Sequence, residues 1–392
     1  MPYGHYTQEM TGLKDIIVNF VEHKDNTLHI HLKMEKRIHS CPSCGERTSK
    51  VHDYRTQIVK DISAFGKFTI LHIRKRRHVC PLCGKKFYEE IDFLPRYHRI
   101  TNRLFAYLLV LFRESWSMKS IADLTNVSSP TAARVLDYLS FSPTHLPKVL
   151  SIDEFRGNSG GEKFQCILTD LERKKVFDIL PSRSQEELFG YFSKFPNRKE
   201  VQFVVMDMYT PYKSLVKAIF PNAKIIADRY HYKRLVDWAF ERVRKEVQKS
   251  FTDHRRKYFK RSRKLLLKNS SLLTWEESLE VEAMLSVSEK LKHAYIIKCK
   301  FEEFMKSSDS QVARKQLGFW VMYAMNYDVP EFVEVGKTFT RWSTEILNSF
   351  DYPYTNGFTE GCNNKIKVLK RVAYGMPNFD RFRRRIMHAL AS

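Results

Sequence analysis

The chain has 392 residues, 43% apolar and 28% charged, enough for two or three folded domains and little disorder. Its 67 Lys and Arg against 44 Asp and Glu leave a formal charge of +23, a field that favours polyanions and nucleic acid above all. The longest clean apolar run, Leu104 to Phe112, is far too short to span a bilayer, and the opening residues lack a signal-peptide pattern. A cytoplasmic protein is expected, not a membrane or secreted one.

In chain order, Asp15-Ile-Ile-Val-Asn and Leu28-His-Ile-His-Leu alternate as short strands do, and from Cys41 to about Asp92 the sequence is basic and strand-like. Residues 98–140 predict helices: an amphipathic one from Arg99 to Phe112, a short one from Met118 to Leu124, and one opened by Ser129-Pro130 that runs to about Leu139. Phe141-Ser-Pro-Thr-His-Leu-Pro reads as a linker. Strands are then predicted at Val149 to Asp153, Phe164 to Leu168, Lys175 to Leu180, Val201 to Asp207 and Lys224 to Ala227. Helices from Gln185 to Lys194 and Pro211 to Ile219 alternate with the later ones, which makes a mixed α/β sheet. From His231 to about Thr340 the pattern is almost wholly helical.

Two matched motifs, Cys41-Pro-Ser-Cys44-Gly and Cys80-Pro-Leu-Cys83-Gly, carry the clearest local chemistry. Each pair can present two thiolates to one face of a tetrahedral zinc ion, and four thiolates leave no open position, so this zinc is structural. His52, His72 and His78 are alternative ligands nearby. Arg74, Arg76 and Arg77 crowd the knuckles and are expected on DNA phosphates. Residues 118–137 have the shape of a helix-turn-helix, with Ser129, Thr131 and Arg134 at the start of its recognition helix.

Asp153 and Asp207 each end an apolar strand, where a carboxylate is held rigidly yet stays open to solvent. On adjacent strands two such groups can share hard divalent cations for phosphoryl transfer. A helix from about Thr359 places Glu360, Asn363, Asn364, Lys367 and Arg371 on one face, with Cys362, Ile366 and Leu369 on the other. Lys365 to Arg385 holds eight basic residues against one acid, which favours DNA backbone contact by Lys365, Lys367, Lys370 and Arg371.

Together the two CPxCG knuckles, the helix-turn-helix, Ser-Ile-Asp153-Glu, Val-Met-Asp207-Met, Ala-Asp228-Arg-Tyr-His231 and Asn356-Gly-Phe-Thr-Glu360-Gly-Cys-Asn-Asn-Lys-Ile-Lys resemble an ISL-three family insertion-sequence transposase. The resemblance spans nearly the whole chain. It implies a multidomain α+β protein: an N-terminal zinc ribbon, a helix-turn-helix, then an RNase H-like α/β catalytic domain with an all-helical insertion. The expected divisions are 1–95, 96–142, 148–240 for the first catalytic part, 241–345 for the insertion, and 346–392 for the last catalytic part. It implies an Asp-Asp-Glu (DDE) triad at Asp153, Asp207 and Glu360 binding two magnesium ions, with Asp228 and His231 in support. Its DNA partners are transposon ends and target, bound by a homodimer or higher assembly in the cytoplasm, at the bacterial nucleoid. A catalytically silent regulator derived from a transposase, or an RNase H-like nuclease, are the competing readings.

Overall fold

The computed structural model describes residues 9–261 and 263–391. Residues 1–8 of the expected N-terminal domain, residue 262 of the insertion and residue 392 lie outside the described residues. The chain divides into two compact units, one running to Phe141 and including Lys367–Ala391, the other Ser142–Ile366.

The first unit begins with strands β1 (Ile16–Lys24), β2 (Thr27–Met34), β3 (His39–Ser40), β4 (Arg47–Thr48), β5 (Val51–Ala64), β6 (Lys67–Val79) and β7 (Lys86–Tyr88). The main sheet has the order β1-β2-β6-β5, with β7 paired to β6, and β2 runs parallel to β6. Alternation builds its core: Leu28, Ile30, Leu32 and Met34 point inward onto Val59, Leu71 and Ile73. Phe65 and Gly66 join β5 to β6 with φ of 52° and 73°, the two left-handed residues that a tight hairpin turn requires.

Three helices follow: α1 (Asn102–Arg113), α2 (Met118–Leu124) and α3 (Ser129–Leu136). They enclose a separate core of Leu104, Leu108, Phe112, Ile121, Val127, Val135 and Leu136. Helix α1 starts three residues later than Arg99 because Thr101 caps it, accepting from Leu104 N. Ser128, not Ser129, caps α3 and accepts from Thr131 N, so Ser129 and Pro130 become its first two residues.

The second unit holds β8 (Val149–Phe155), β9 (Gln165–Asp170), β10 (Lys175–Leu180), helix α4 (Gln185–Ser193), β11 (Phe203–Met206), α5 (Thr210–Ile219) and β12 (Lys224–Ala227). The strand order is β10-β9-β8-β11-β12, antiparallel from β10 to β8 and parallel from β8 to β12, an RNase H-like sheet. Helices α6 (Arg229–Lys249), α7 (Asp253–Arg261), α8 (Arg263–Leu267), α9 (Trp275–Leu285), α10 (Glu289–Met305), α11 (Ser310–Asn326), α12 (Pro330–Arg341) and α13 (Ser343–Asp351) follow β12 as an all-helical stretch. Its core, including buried Phe301, Trp320, Phe339 and Trp342, is continuous with that of the sheet.

Helix α14 (Gly357–Val372) crosses the division between the units, and α15 (Phe379–Ala389) follows it. The compact unit that holds the sheet ends at Ile366, within α14. Helix α15 packs on α1 and α3 instead. Its apolar face, Phe382, Ile386 and Ala389, is buried, and Arg381 Nε and Nη2 donate to Asp137 at 2.8 and 2.6 Å.

Candidate active site

Asp153 lies within β8, buried at 7% exposure, and Asp207 directly follows β11. The two strands are parallel neighbours with Met206 opposite Ile152, so the aspartates occupy the next matched position. Glu154 N–H donates to Asp153 Oδ1 at 2.7 Å, and Asn363 Nδ2 donates to Oδ2 at 2.8 Å. Burial, and after it the negative charge of Asp207, push the Asp153 carboxyl up to about 7.

Glu360 sits in the first turn of α14, and hydroxyls anchor that turn to the sheet. Thr359 Oγ1 donates to Ser151 Oγ at 3.0 Å, and Ser151 in turn donates to Asn356 Oδ1 at 2.5 Å. Thr169 Oγ1, across from Ser151 on β9, lies 2.7 Å from Thr359 Oγ1. Ser151, Thr169, Asn356 and Thr359 are all fully buried, so each bond is shielded from water. Helix α14 therefore has a fixed depth against β8.

Asp228 occupies the cap position of α6, yet its side chain makes no capping bond. His231, one turn on, reaches Asp207 Oδ2 through Nδ1 at 2.8 Å and Asp228 Oδ2 through Nε2 at 3.6 Å. Arg234 Nη2 is also 3.0 Å from Nδ1. Only the carboxylate can accept a proton from that nitrogen, so Nδ1–H points to Asp207. Burial opposes protonation of His231, but the bond to Asp207 and the charges of Asp207 and Asp228 raise its pKa overall. Burial raises the Asp228 carboxyl as well, with Glu360 and Asp207 adding to the effect.

Asp207, Asp228 and His231 each offer one ligand atom, all within 4.8 Å of one another. Asp207 Oδ1 and Asp228 Oδ2 are buried without a hydrogen-bond partner among the described residues. Buried, mutually repelling oxygens left unsatisfied suit a hard divalent cation. This ligand group joins Asp207 to Asp228 and His231 and does not include Asp153 or Glu360, which bear on it only through charge, Asp207 on Asp153 and Glu360 on Asp228.

At the knuckles, Cys41 Sγ lies 3.6 Å from Cys83 Sγ and Cys44 Sγ lies 3.5 Å from the sulfurs of Cys80 and Cys83, with all four within 4.8 Å of one another. Four thiolates around zinc at ~2.3 Å have an edge of about 3.8 Å, so the donors fit the ion. Gly45 and Gly84 turn each knuckle at φ of 76° and 70° and donate to the carbonyls of Cys41 and Cys80. Of the alternative ligands, His78 is buried beside His39, and the four thiolates are complete without it.

Of the basic residues expected on DNA, Arg74 is exposed over the Tyr54 ring at 4.2 Å and Arg77 is half-buried near Asp53. Arg76 is a correction: it is buried, and its guanidinium is committed to Glu89 at 3.0 Å and to the carbonyls of Met34 and Glu35. In α3, Arg134 Nη2 donates to Thr131 Oγ1 at 2.9 Å, and Ser129 is the first helical residue. Lys365, Lys367 and Arg371 are exposed on α14, and Lys370 is half-buried there. Sequence reasoning missed Ser151, Thr169, Asn356 and Thr359, whose small polar side chains on an apolar strand and at a helix start were the available signal.

Residues 150–386 match a family model described as Transposase. The chain belongs to the ISL3 (ISL-three) transposase family. Within it, residues 37–83 match the zinc-finger of transposase IS204/IS1001/IS1096/IS1165, and residues 89–140 match the helix-turn-helix domain of transposase family ISL3. This ISL3-family chain is 27% identical over 371 residues to the transposase for insertion sequence element IS1001 of Bordetella parapertussis, covering 91% of this chain and 90% of that one. It is 24% identical over 241 residues to the IS1557 transposase of Mycobacterium tuberculosis, about half of each chain. The order of zinc ribbon, DNA-binding helix-turn-helix and DDE domain is that of the fold above, and the four-cysteine cluster supports a structural zinc. No helix among the described residues is long and apolar enough to cross a membrane.

Proposed function

We propose that the chain binds the terminal inverted repeats of an insertion sequence and carries out magnesium-dependent strand cleavage and transfer, with Asp153, Asp207 and Glu360 as its acids. The observation that supports this reading is the convergence of acids on one centre: Asp153 and Asp207 stand at matched positions on neighbouring parallel strands, His231 bonds Asp207, and the charges of Glu360 and Asp207 both bear on Asp228. Asp153, Asp207 and Glu360 would hold two magnesium ions, which when bound activate the attacking oxygen and stabilise the leaving one during in-line displacement. Asn363 and the Glu154 N–H orient Asp153, and His231 orients Asp207. The hydroxyl chain through Ser151 and Thr359 sets the position from which Glu360 projects.

Arg74 and Arg134, both exposed, would bind the backbone and base edges of the repeat. Joining two element ends requires a dimer or larger assembly on DNA, working at the nucleoid in the cytoplasm. Asp153→Asn, Asp207→Asn and Glu360→Gln should each abolish magnesium-dependent cleavage of end DNA while end binding survives. Full cleavage by any one of them overturns its assignment. Cleavage without joined product in the presence of target DNA selects the nuclease reading instead.

A further inference from the structure

Helix α6 buries one stripe, Tyr232, Val236, Ala239, Phe240 and Val243, in the core. Its other aromatics lie elsewhere. Tyr230 is 55% exposed and Trp238 54% exposed, two turns apart, with Arg234 midway between them. The Arg234 guanidinium lies 5.6 Å from the Tyr230 ring centroid and 4.8 Å from that of Trp238. Its Nη2 also meets His231 Nδ1 at 3.0 Å, and that same nitrogen is 2.8 Å from Asp207. The stripe is thus connected, residue to residue, with the acid cluster.

Two large aromatic faces in water, spaced by a cation, have no role in holding the core. Exposed aromatic faces beside an arginine are what unpaired bases stack on, because every base has a π-face and every nucleotide a negative phosphate. Duplex DNA keeps its bases stacked inside and cannot use such a surface.

We propose that Tyr230, Arg234 and Trp238 form a stacking platform for unpaired DNA bases next to the phosphodiester held at the acid cluster. This rests on the proposed function, since it deepens the substrate of that site from duplex ends to ends with an opened or extruded nucleotide. The platform stabilises the opened strand by stacking, and Arg234 neutralises its phosphate. Recognition is of base faces, so it is tolerant of sequence.

The test compares binding of full-length protein, without added divalent ion, to two fluorescent probes by anisotropy. One is a short mixed-sequence duplex, and the other is the same duplex with an unpaired single-stranded flank. Wild type binds the flanked probe ~10-fold tighter, the size expected of one stacked base. Trp238→Ala and Tyr230→Ala lose most of that preference and keep duplex affinity, whereas Trp238→Phe retains it. Trp275→Ala, which removes another exposed tryptophan in the insertion, leaves the preference intact. Replacing the flanking bases by abasic sites removes the preference from wild type and changes nothing further in Trp238→Ala. A preference that survives both alanine substitutions, or an abasic flank that binds wild type as well as the base-bearing one, overturns the proposal. Because no cleavage is read, failure of the acid assignment is seen separately, as intact cleavage in Asp153→Asn alongside an unaltered flank preference.

Discussion

Asp153 exposes the electrostatic cost of the candidate centre directly. Its carboxyl stands at about 7 against an ordinary 3.8, because burial and the charge of Asp207 disfavour ionisation. In the unfolded chain the group ionises near its ordinary value. Between these two values the folded protein therefore holds one more proton than the unfolded one, and stability from this group falls as pH rises. The fall begins above about pH 4 and is complete once pH has passed the folded value. A difference of that size corresponds to ~4 kcal/mol. Replacement by Asn removes the charge but leaves one amide N–H facing the donor from Glu154 or Asn363, which costs ~1–2 kcal/mol. Asp153→Asn should accordingly be more stable than wild type by ~2–3 kcal/mol near pH 8, and the advantage should shrink or reverse near pH 4. Urea unfolding of both proteins in EDTA, followed by tryptophan fluorescence across that range, measures it. Magnesium at the higher pH should narrow the gap by stabilising wild type alone. Parallel pH profiles for the two proteins would refute the reasoning.

Other perturbations separate the parts of the molecule. Asn363→Ala should lower the cleavage rate by ~10-fold or more through misorientation of Asp153, with end binding unchanged in a gel-shift assay. Arg76→Ala leaves Glu89 buried without its partner and should destabilise the first unit by ~3–5 kcal/mol in chemical denaturation, whereas Arg74→Ala should barely change stability. Arg74→Ala should instead weaken DNA binding and reduce the salt dependence by about one counterion. Cys80→Ser should remove one zinc per chain in elemental analysis and abolish specific end binding, while circular dichroism retains most of its helical signal.

Much of the fold is visible in local pattern. The strands at Lys175 and Lys224 and the helix at Met118 have the bounds that their periodicity predicts, because apolar runs and capping residues act over a few positions. The paired cysteines are legible for the same reason. Arg76 is not, because β6 buries Thr69, Leu71 and Ile73 on one parity and Arg76 and His78 on the other. A strict two-residue period carried forward from Ile73 turns Arg76 outward. Helical spacing puts Asn363 on the face of Glu360, but its bond to Asp153 joins residues 210 positions apart and leaves no local trace. The bonding of His231 to Asp207 is invisible in the same way, since only the parallel arrangement of β11 and β12 brings the two together.

The clasp between sheet and helix has a consequence for biosynthesis. Ser151 and Asn356 are 205 residues apart, and Thr359 and Ser151 are 208 apart. Contacts this remote in the chain close only after everything between them has been translated and folded. On the proposed assignment, a nascent polypeptide emerging from the ribosome thus carries both aspartates midway but gains Glu360, and the helix α15 that covers α1 and α3, only near the end. With Glu360 as the proposed third acid, incomplete copies would be disarmed by chain topology alone.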